Sequence, residues 1–418
     1  MKILNKLSYK ILKKKIDIVR STAIFFFIFS LIPWINFGLN DFDIQPWSFV
    51  FAIIFLACLK KVIVPVYSIK ILILVLIGLS FALLATNSIN IFFLFRSIVN
   101  YLSLPILYVA FYNYFIRYNF PLKLFVIFNF LWIGVGLIQL CFPEIAFSFV
   151  NQRNIDAIRG SSSLAPEPTF FAIFLFFSSW VLIETKNFAM SKNIKILLFI
   201  NFLAVLFIAK SSMVFLFYII TITSVLVSKF FYTCVDLKFL KKSVSSFTIY
   251  FIIIFLALII FKNFFYNTRL FFFIERFFNS QSILEIIKTD ASINSRVESV
   301  YFSVIGSLKN YLLPGGLDTF VEMRKEILNS MENEIFYNRV ESNKIMSWIG
   351  SIIYELGIFG IMIITLFFKA IYRNFRGSLF YLATLIIILF SAIPVAFSLI
   401  PMLFSLMVYN KKFKTFNK

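Results

Sequence analysis

Four groups of polar residues stand out in a chain that is otherwise 61% hydrophobic, and each has a pattern with a definite chemical use. The first is Arg159-Gly160-Ser161-Ser162-Ser163, followed by Glu167-Pro168-Thr169. Pro168 suits the first turn of a helix. A helix start offers free N–H groups to an anion, and Arg159 adds a planar fork of donors. The same residues also fit ordinary capping by the serines and Glu167, with Arg159 among lipid headgroups. The second group is Asn294-Ser295-Arg296, with Pro314-Gly315-Gly316 and Asp318 downstream. It is expected to put Arg296 at the first position of a helix, an arrangement suited to phosphate; an exposed loop arginine is otherwise simply solvated.

The third group is Glu355 in Tyr354-Glu355-Leu356-Gly357-Ile358-Phe359-Gly360. If its span opens near Met346, a rise of about 1.5 Å per residue puts the carboxylate about 13 Å below the surface, where ionisable groups are functional or paired. Arg96 and Lys210 are expected in the same half of the membrane, and a structural ion pair with either is the alternative to a catalytic role. The fourth group, Asp41-Phe42-Asp43, has the spacing of a metal-binding or catalytic carboxylate pair, although two aspartates in a polar loop are also common. Arg153 and Arg339 are further basic candidates in the two long loops. The chain contains no histidine, so the usual zinc sites and imidazole acid–base catalysis are ruled out. Any catalyst must use carboxylates, Arg, Lys, Tyr or a lipid phosphate, and no metal or other cofactor is expected. Cys58, Cys141 and Cys234 are far apart, which argues against a disulfide framework.

The elements that must position these groups are membrane helices. A mean hydropathy of +0.93 over 418 residues cannot be packed into a soluble domain without large exposed apolar patches. Apolar stretches long enough to cross a bilayer are expected at 22–39, 46–59, 71–86, 91–115, 124–142, 166–183, 196–209, 212–228, 247–261 and 346–368. A final stretch over 378–409 contains Pro394 and Pro401 and is expected to split into a helical hairpin. The fold class is therefore an all-α polytopic bundle of about 11–12 spans by this length rule. The first span has no small-residue cleavage site after it and is expected to be retained.

Charge gives the orientation. Of the 40 Lys and Arg residues, 26 fall in loops on one side, with only three of the 19 acids (Asp17, Glu184, Asp236); that side carries +23 and everything else −2. By the positive-inside rule the basic side is cytoplasmic, with both termini there. The formal charge of +21 is thus a topology signal and not a sign of nucleic-acid binding. The expected organisation is a basic interfacial segment (1–20), a transmembrane bundle (21–261) with an outer loop at 143–165, a large outer loop (262–345), C-terminal transmembrane helices (346–409) and a cytoplasmic tail (410–418). The large loop carries two helix-start patterns, Ser295-Arg296-Val297-Glu298 and Thr319 with Glu322. Pro314-Gly315-Gly316 forces a turn between them, so the loop is expected to form a helical cap over the outer mouth of the bundle.

Taken in this order, the motifs resemble those of the O-antigen and capsular polysaccharide repeat-unit polymerases of bacteria. The resemblance rests on Arg159-Gly160 with Glu167-Pro168-Thr169 (Glu-Pro-Ser is usual in the family), on Ser295-Arg296 before Pro314-Gly315-Gly316, on Glu355-Leu356-Gly357 with Gly360, and on many spans with two enlarged periplasmic loops. It implies a glycosyltransferase of the bacterial inner membrane that joins undecaprenyl-pyrophosphate-linked oligosaccharides, without a cofactor and with a chain-length regulator as a conceivable protein partner. On that reading Arg159 and Arg296 bind pyrophosphate, with Arg96, Arg153, Lys210, Arg339 and Asp318 as further substrate contacts. Glu167, then Glu355, is the base. The related O-antigen ligases are thought to rely on a periplasmic histidine, which this chain lacks. A glycosyltransferase built on Asp41 and Asp43, and a flippase or transporter of lipid-linked oligosaccharide, are the other readings.

Overall fold

In a computed structural model of the chain, the residues described are 18–36, 38, 44–86, 91–142, 150, 160–185, 192–233, 275, 279–280, 282–289, 291–330, 335–336, 344–372 and 378–414. Among them every regular element is a helix. The first eight are α1 (Ile18–Leu31), α2 (Trp47–Cys58), α3 (Ser68–Leu84), α4 (Ile91–Tyr118), α5 (Leu122–Cys141), α6 (Pro168–Thr185), α7 (Lys192–Phe207) and α8 (Ser212–Thr233). After them come α9 (Ile283–Thr289), α10 (Ala291–Lys309), α11 (Phe320–Ser330), α12 (Trp348–Ile371), α13 (Ser378–Leu389) and α14 (Leu399–Lys414). The expected spans correspond to α1–α8 and α12, and the stretch 378–409 does divide into two helices, α13 and α14. Pro401 falls in the first turn of α14, where its missing N–H costs nothing. The expected span 247–261 lies outside the described residues.

The helices are apolar all round, as a bilayer requires. On α3, Ile71, Val75, Leu79 and Ala82 face inward and are buried, while Ile69, Ile73 and Leu76 on the other side are 58%, 49% and 48% exposed. A helix with two apolar faces suits lipid on one and protein on the other. Four helices (α4, α5, α6 and α12) are long and apolar enough to cross a membrane, and the molecule is a helical membrane bundle.

Lipid tails are as apolar as leucine, so packing and hydrogen bonds decide which helices adjoin. α14 runs along α4 and α6. There Ser405 Oγ donates to the Tyr108 carbonyl (2.7 Å), and on another side of α14 the Phe404 ring lies tilted against Phe367 of α12 (5.1 Å). α5 to α8 are knitted by one buried polar chain. Asn129 Nδ2 donates to Asn201 Oδ1 (3.0 Å), Asn201 Nδ2 donates to Ser179 Oγ (2.9 Å), and Ser179 Oγ meets the Tyr218 hydroxyl (3.4 Å).

The basic loop ends gather at one end of the bundle. Arg117 donates to the Lys61 carbonyl, Lys411 Nζ to the Tyr372 carbonyl (2.9 Å), and Lys369 lies over the Tyr67 ring (5.7 Å). The helices α10 and α11 pack at the other end: the Leu317 N–H donates to Thr86 Oγ1 (3.0 Å) just beyond the end of α3 that lies away from Lys60 and Lys61. These two ends are the basic side and the cap side below.

The cap has its own small core of Phe302, Phe320, Ile327 and Tyr354. Its second expected helix begins where Thr319 predicted, with α11 opening at Phe320. Its first does not begin at Ser295. α10 opens at Ala291, and Arg296 is therefore within the helix and not at its first position. One turn in, Asn294 Nδ2 donates to the carbonyls of Ile287 and Ile335 (3.0 and 2.8 Å). Glu298, freed from a capping role, pairs with Arg324 of α11 at 2.5 Å, both side chains less than a tenth exposed. Burial pushes the Glu298 carboxyl up from its ordinary value, and the Arg324 guanidinium pulls it partly back.

Removing one partner of a buried pair leaves a stranded charge. Arg324→Met is expected to loosen the cap by about 3 kcal/mol, read as faster proteolytic nicking of the 310–319 turn in membranes. Adding Glu298→Met should recover most of that loss. Equal nicking of the single variant and the wild type would show that the pair contributes nothing.

Candidate functional site

The site is built around a break in α12. Ser347 caps its start, accepting from the Gly350 N–H (3.0 Å). The helix then breaks at Gly357, where φ is 57° and ψ −135°, so the expected single span over 346–368 is two helical halves. Among the backbone groups at the break are the Ile358 N–H and the Tyr354 carbonyl, which would pair with each other in an unbroken helix. Buried backbone groups need partners, and the cap turn supplies both. Ile358 N–H donates to the Leu312 carbonyl (2.7 Å), and the Gly315 N–H donates to the Tyr354 carbonyl (2.9 Å). A Cβ on Gly357 would lie 2.4 Å from the Leu312 carbonyl oxygen, so only glycine permits the turn to seat this closely. The Tyr354 hydroxyl also meets Thr319 Oγ1 (3.0 Å), and its ring packs edge-on against Phe320 (5.8 Å). The two sequence motifs, Pro314-Gly315-Gly316 and Glu355-Leu356-Gly357, are thus parts of one interlock.

This interlock fixes the carboxylate beside it. Glu355 is buried and accepts a hydrogen bond at Oε2 from the Tyr101 hydroxyl of α4 (2.5 Å). Tyr101, its ring fully inside, is also 3.2 Å from the Ser351 carbonyl one helical turn before Glu355. Arg96, on the same helix as Tyr101, is 8% exposed; its guanidinium lies over the Phe93 ring at 4.8 Å and is close enough to act electrostatically on Glu355. Asp318, in a left-handed conformation (φ 62°) at the end of the cap turn, and Lys344, ahead of α12, complete the charged lining. Ser97, Asn100 and Ser351 add neutral polar groups, and Ile44, Ile345 and the Pro394-Val395-Ala396 turn form an apolar wall. The cavity they line holds about 80 Å³ of space and opens to solvent at its mouth.

The lining is balanced, with two cations and two carboxylates. It can hold an anion against Arg96 and Lys344 and offer a hydrogen-bonded carboxylate to a proton. The apolar wall beside these charges suits an amphiphile.

Of the residues singled out from sequence, Arg96, Asp318 and Glu355 come together here. Glu167, Lys210 and Arg296 are described but are not among the residues lining this cavity. Arg153, Arg159, Arg339, Asp41 and Asp43 lie outside the described residues.

The Glu167 region forms a separate construction. Glu167 precedes α6, and its carbonyl accepts from the N–H groups of Phe170 and Phe171 (3.0 and 3.3 Å). The serines before it are tied to α5. Ser161 Oγ and the Ser163 N–H both donate to Gln139 Oε1 of α5 (2.8 and 2.6 Å), and Ser163 Oγ donates to the Trp132 carbonyl (2.6 Å). Gly160 has φ 87° and sits where a Cβ would be 2.7 Å from the Ile208 and Ala209 carbonyl oxygens, next to Lys210. The sequence segment Gly160–Ser163 is therefore anchored to α5 and to the α7–α8 turn together. Phe170 meets Trp34 (5.8 Å), and Trp34 meets Phe397 (5.7 Å), one residue from the apolar wall of the cavity.

Tyr101, Asn100, Ser97, Lys344 and Ser351 were missed by sequence reasoning. For three of them there was a signal: Arg96, Ser97, Asn100 and Tyr101 fall at i, i+1, i+4 and i+5 of an apolar span, a polar stripe on one helical face. Ser351 lies one helical turn before Glu355 and on the same face, whereas Lys344 reaches the site only through the tertiary arrangement. No family model, curated protein or solved structure matches this chain.

Proposed function

We propose that this chain is a glycosyltransferase that polymerises undecaprenyl-pyrophosphate-linked oligosaccharide units into O-antigen or capsular polysaccharide, working at the periplasmic face of a bacterial inner membrane with both termini in the cytoplasm. The observation that carries this reading is the meeting of Arg96, Lys344, Asp318 and Glu355 in one cavity on the cap side, away from the basic loops. On this reading Arg96 and Lys344 neutralise the diphosphate as it leaves the donor sugar. Glu355 takes the proton of the attacking hydroxyl. The apolar wall of Ile44, Ile345 and the 394–396 turn suits the carrier lipid next to its headgroup. Arg159 and Arg296 stay assigned to pyrophosphate through the sequence resemblance alone.

The test is the glycan ladder of a strain lacking the gene. Products limited to a single repeat, restored to full ladders by the intact chain, are the expected result. Unattached full-length polymer would point to a ligase instead. A carrier for lipid-linked oligosaccharide is the second reading. It is favoured by polar groups away from the cap side: the Asn129–Asn201–Ser179 chain and buried Glu184, which accepts from the Tyr381 hydroxyl (3.0 Å). Movement of labelled lipid-linked substrate across vesicles with no change in glycan length would establish that reading and displace the first.

A further inference from the structure

The Tyr101 hydroxyl has two acceptors and one proton. It lies 2.5 Å from Glu355 Oε2 and 3.2 Å from the Ser351 carbonyl oxygen. With Glu355 ionised, the shorter contact takes the phenolic proton, because a carboxylate is the stronger acceptor. With Glu355 protonated at Oε2, the carboxyl becomes a donor. It can then give its proton to the phenol oxygen, while the phenol turns its own proton to the Ser351 carbonyl. No heavy atom has to move between the two states, and no buried group is left without a partner.

We infer that Tyr101 is a positioning residue that keeps Glu355 hydrogen-bonded, in one rotamer, both before and after Glu355 takes up a proton. The inference rests on the reading of Glu355 as the base in the proposed transfer. In that step the acceptor sugar's O–H bond breaks and its proton passes to Glu355. The freed oxygen forms the new bond to the donor's anomeric carbon, and the anomeric C–O bond to the diphosphate breaks with its electron pair leaving on the lipid pyrophosphate. The proton on Glu355 then passes to solvent at the mouth of the cavity. A base buried among other groups must cross this cycle without losing its orientation, and the second acceptor at Ser351 is what allows it. The charged groups facing Glu355 from the cavity walls are Arg96 of α4, Asp318 of the cap turn and Lys344 ahead of α12. None of these can replace the phenol in both roles, since arginine and lysine only donate and an ionised aspartate only accepts.

The experiment uses the full chain in lipid nanodiscs and infrared difference spectra over a pH series, with Glu355→Gln to assign the protonated Glu355 carbonyl band. In Tyr101→Phe that band is expected to shift to higher wavenumber, as a carboxyl that has lost its hydrogen-bond acceptor should. An unshifted band, or no Glu355 band at any pH in the wild type, would overturn the inference. With lipid-linked substrate, Tyr101→Phe should lower kcat at least about tenfold while KM stays within about twofold; an unchanged kcat would also overturn it. Thermal unfolding of Tyr101→Phe within a few degrees of wild type would separate positioning from general damage, and Ser351→Ala, which keeps the backbone carbonyl acceptor, should leave the band unshifted. The spectral result needs no substrate, so a shifted band with no polymer made by the wild type would discard the polymerase reading and leave the Tyr101–Glu355 coupling intact.

Discussion

On the proposed polymerase function, Glu355→Gln is expected to lower polymer formation about 10²- to 10⁴-fold, the usual contribution of a general base, while the protein accumulates in the membrane at its normal level. Glutamine is nearly isosteric with glutamate and can still accept from Tyr101 through its amide oxygen, so the 2.5 Å contact that ties α4 to α12 has a replacement. What it cannot do is take a proton from a sugar hydroxyl. Loss of activity with retention of the fold is therefore the signature of chemistry at this position, whereas a structural ion pair would show as lost protein or lost stability. The measurement is incorporation of labelled repeat units by purified protein in vesicles, beside a thermal-shift or size-exclusion control. Full-length ladders from Glu355→Gln would remove Glu355 as the base.

Gly357→Ala is expected to have the largest effect on the structure. At φ 57° and ψ −135° the backbone is in a region that side chains other than hydrogen enter only at a cost of about 1–3 kcal/mol. The added Cβ would also lie 2.4 Å from the Leu312 carbonyl oxygen and 2.6 Å from Pro314 N. Neither atom can step aside, because both belong to the turn that satisfies the broken helix. The turn must withdraw, and the Tyr354 carbonyl and Ile358 N–H then lose their partners, at about 1–3 kcal/mol for each buried group left unsatisfied. The expected outcome is a cap that is nicked readily by protease and a chain with little or no activity. Gly134→Ala in α5 is the control, since its Cβ would meet nothing within 4 Å and it should be near neutral. Identical protease resistance in Gly357→Ala would mean that the cap is not held by this interlock.

Most of the helices were legible in the sequence for a simple reason: in lipid each segment must satisfy its own backbone inside an apolar run, so α1 to α8 and α12 can be read off one at a time. The gathering of basic loop ends was legible too, and the contacts among Lys61, Arg117, Lys369 and Lys411 keep to that pattern.

Neighbours were not legible. A soluble helix betrays its inward face by being apolar there and polar elsewhere, but Ile71 and Ile73 of α3 are the same residue type, one buried and one facing out. Only the rare polar side chains break this symmetry, which is why Arg96, Asp318 and Glu355 could be picked out, and Arg96 offered as a partner for Glu355, while Tyr101 could not. Tyr101 and Glu355 are 254 positions apart, and no local pattern joins them.

What the amino-acid sequence by itself determined was a membrane-embedded all-α bundle, its basic side, and a short set of charged residues with chemical potential. What only the tertiary structure decided was the break in α12, its repair by the 312–315 turn, and the cavity that results. The physical reason is that the unmade Ile358–Tyr354 hydrogen bond demands donors and acceptors from elsewhere in the chain. Glycine at 357 permits a break, but the cap turn makes it stable, and that turn carries Asp318 into the space where Tyr101 holds Glu355.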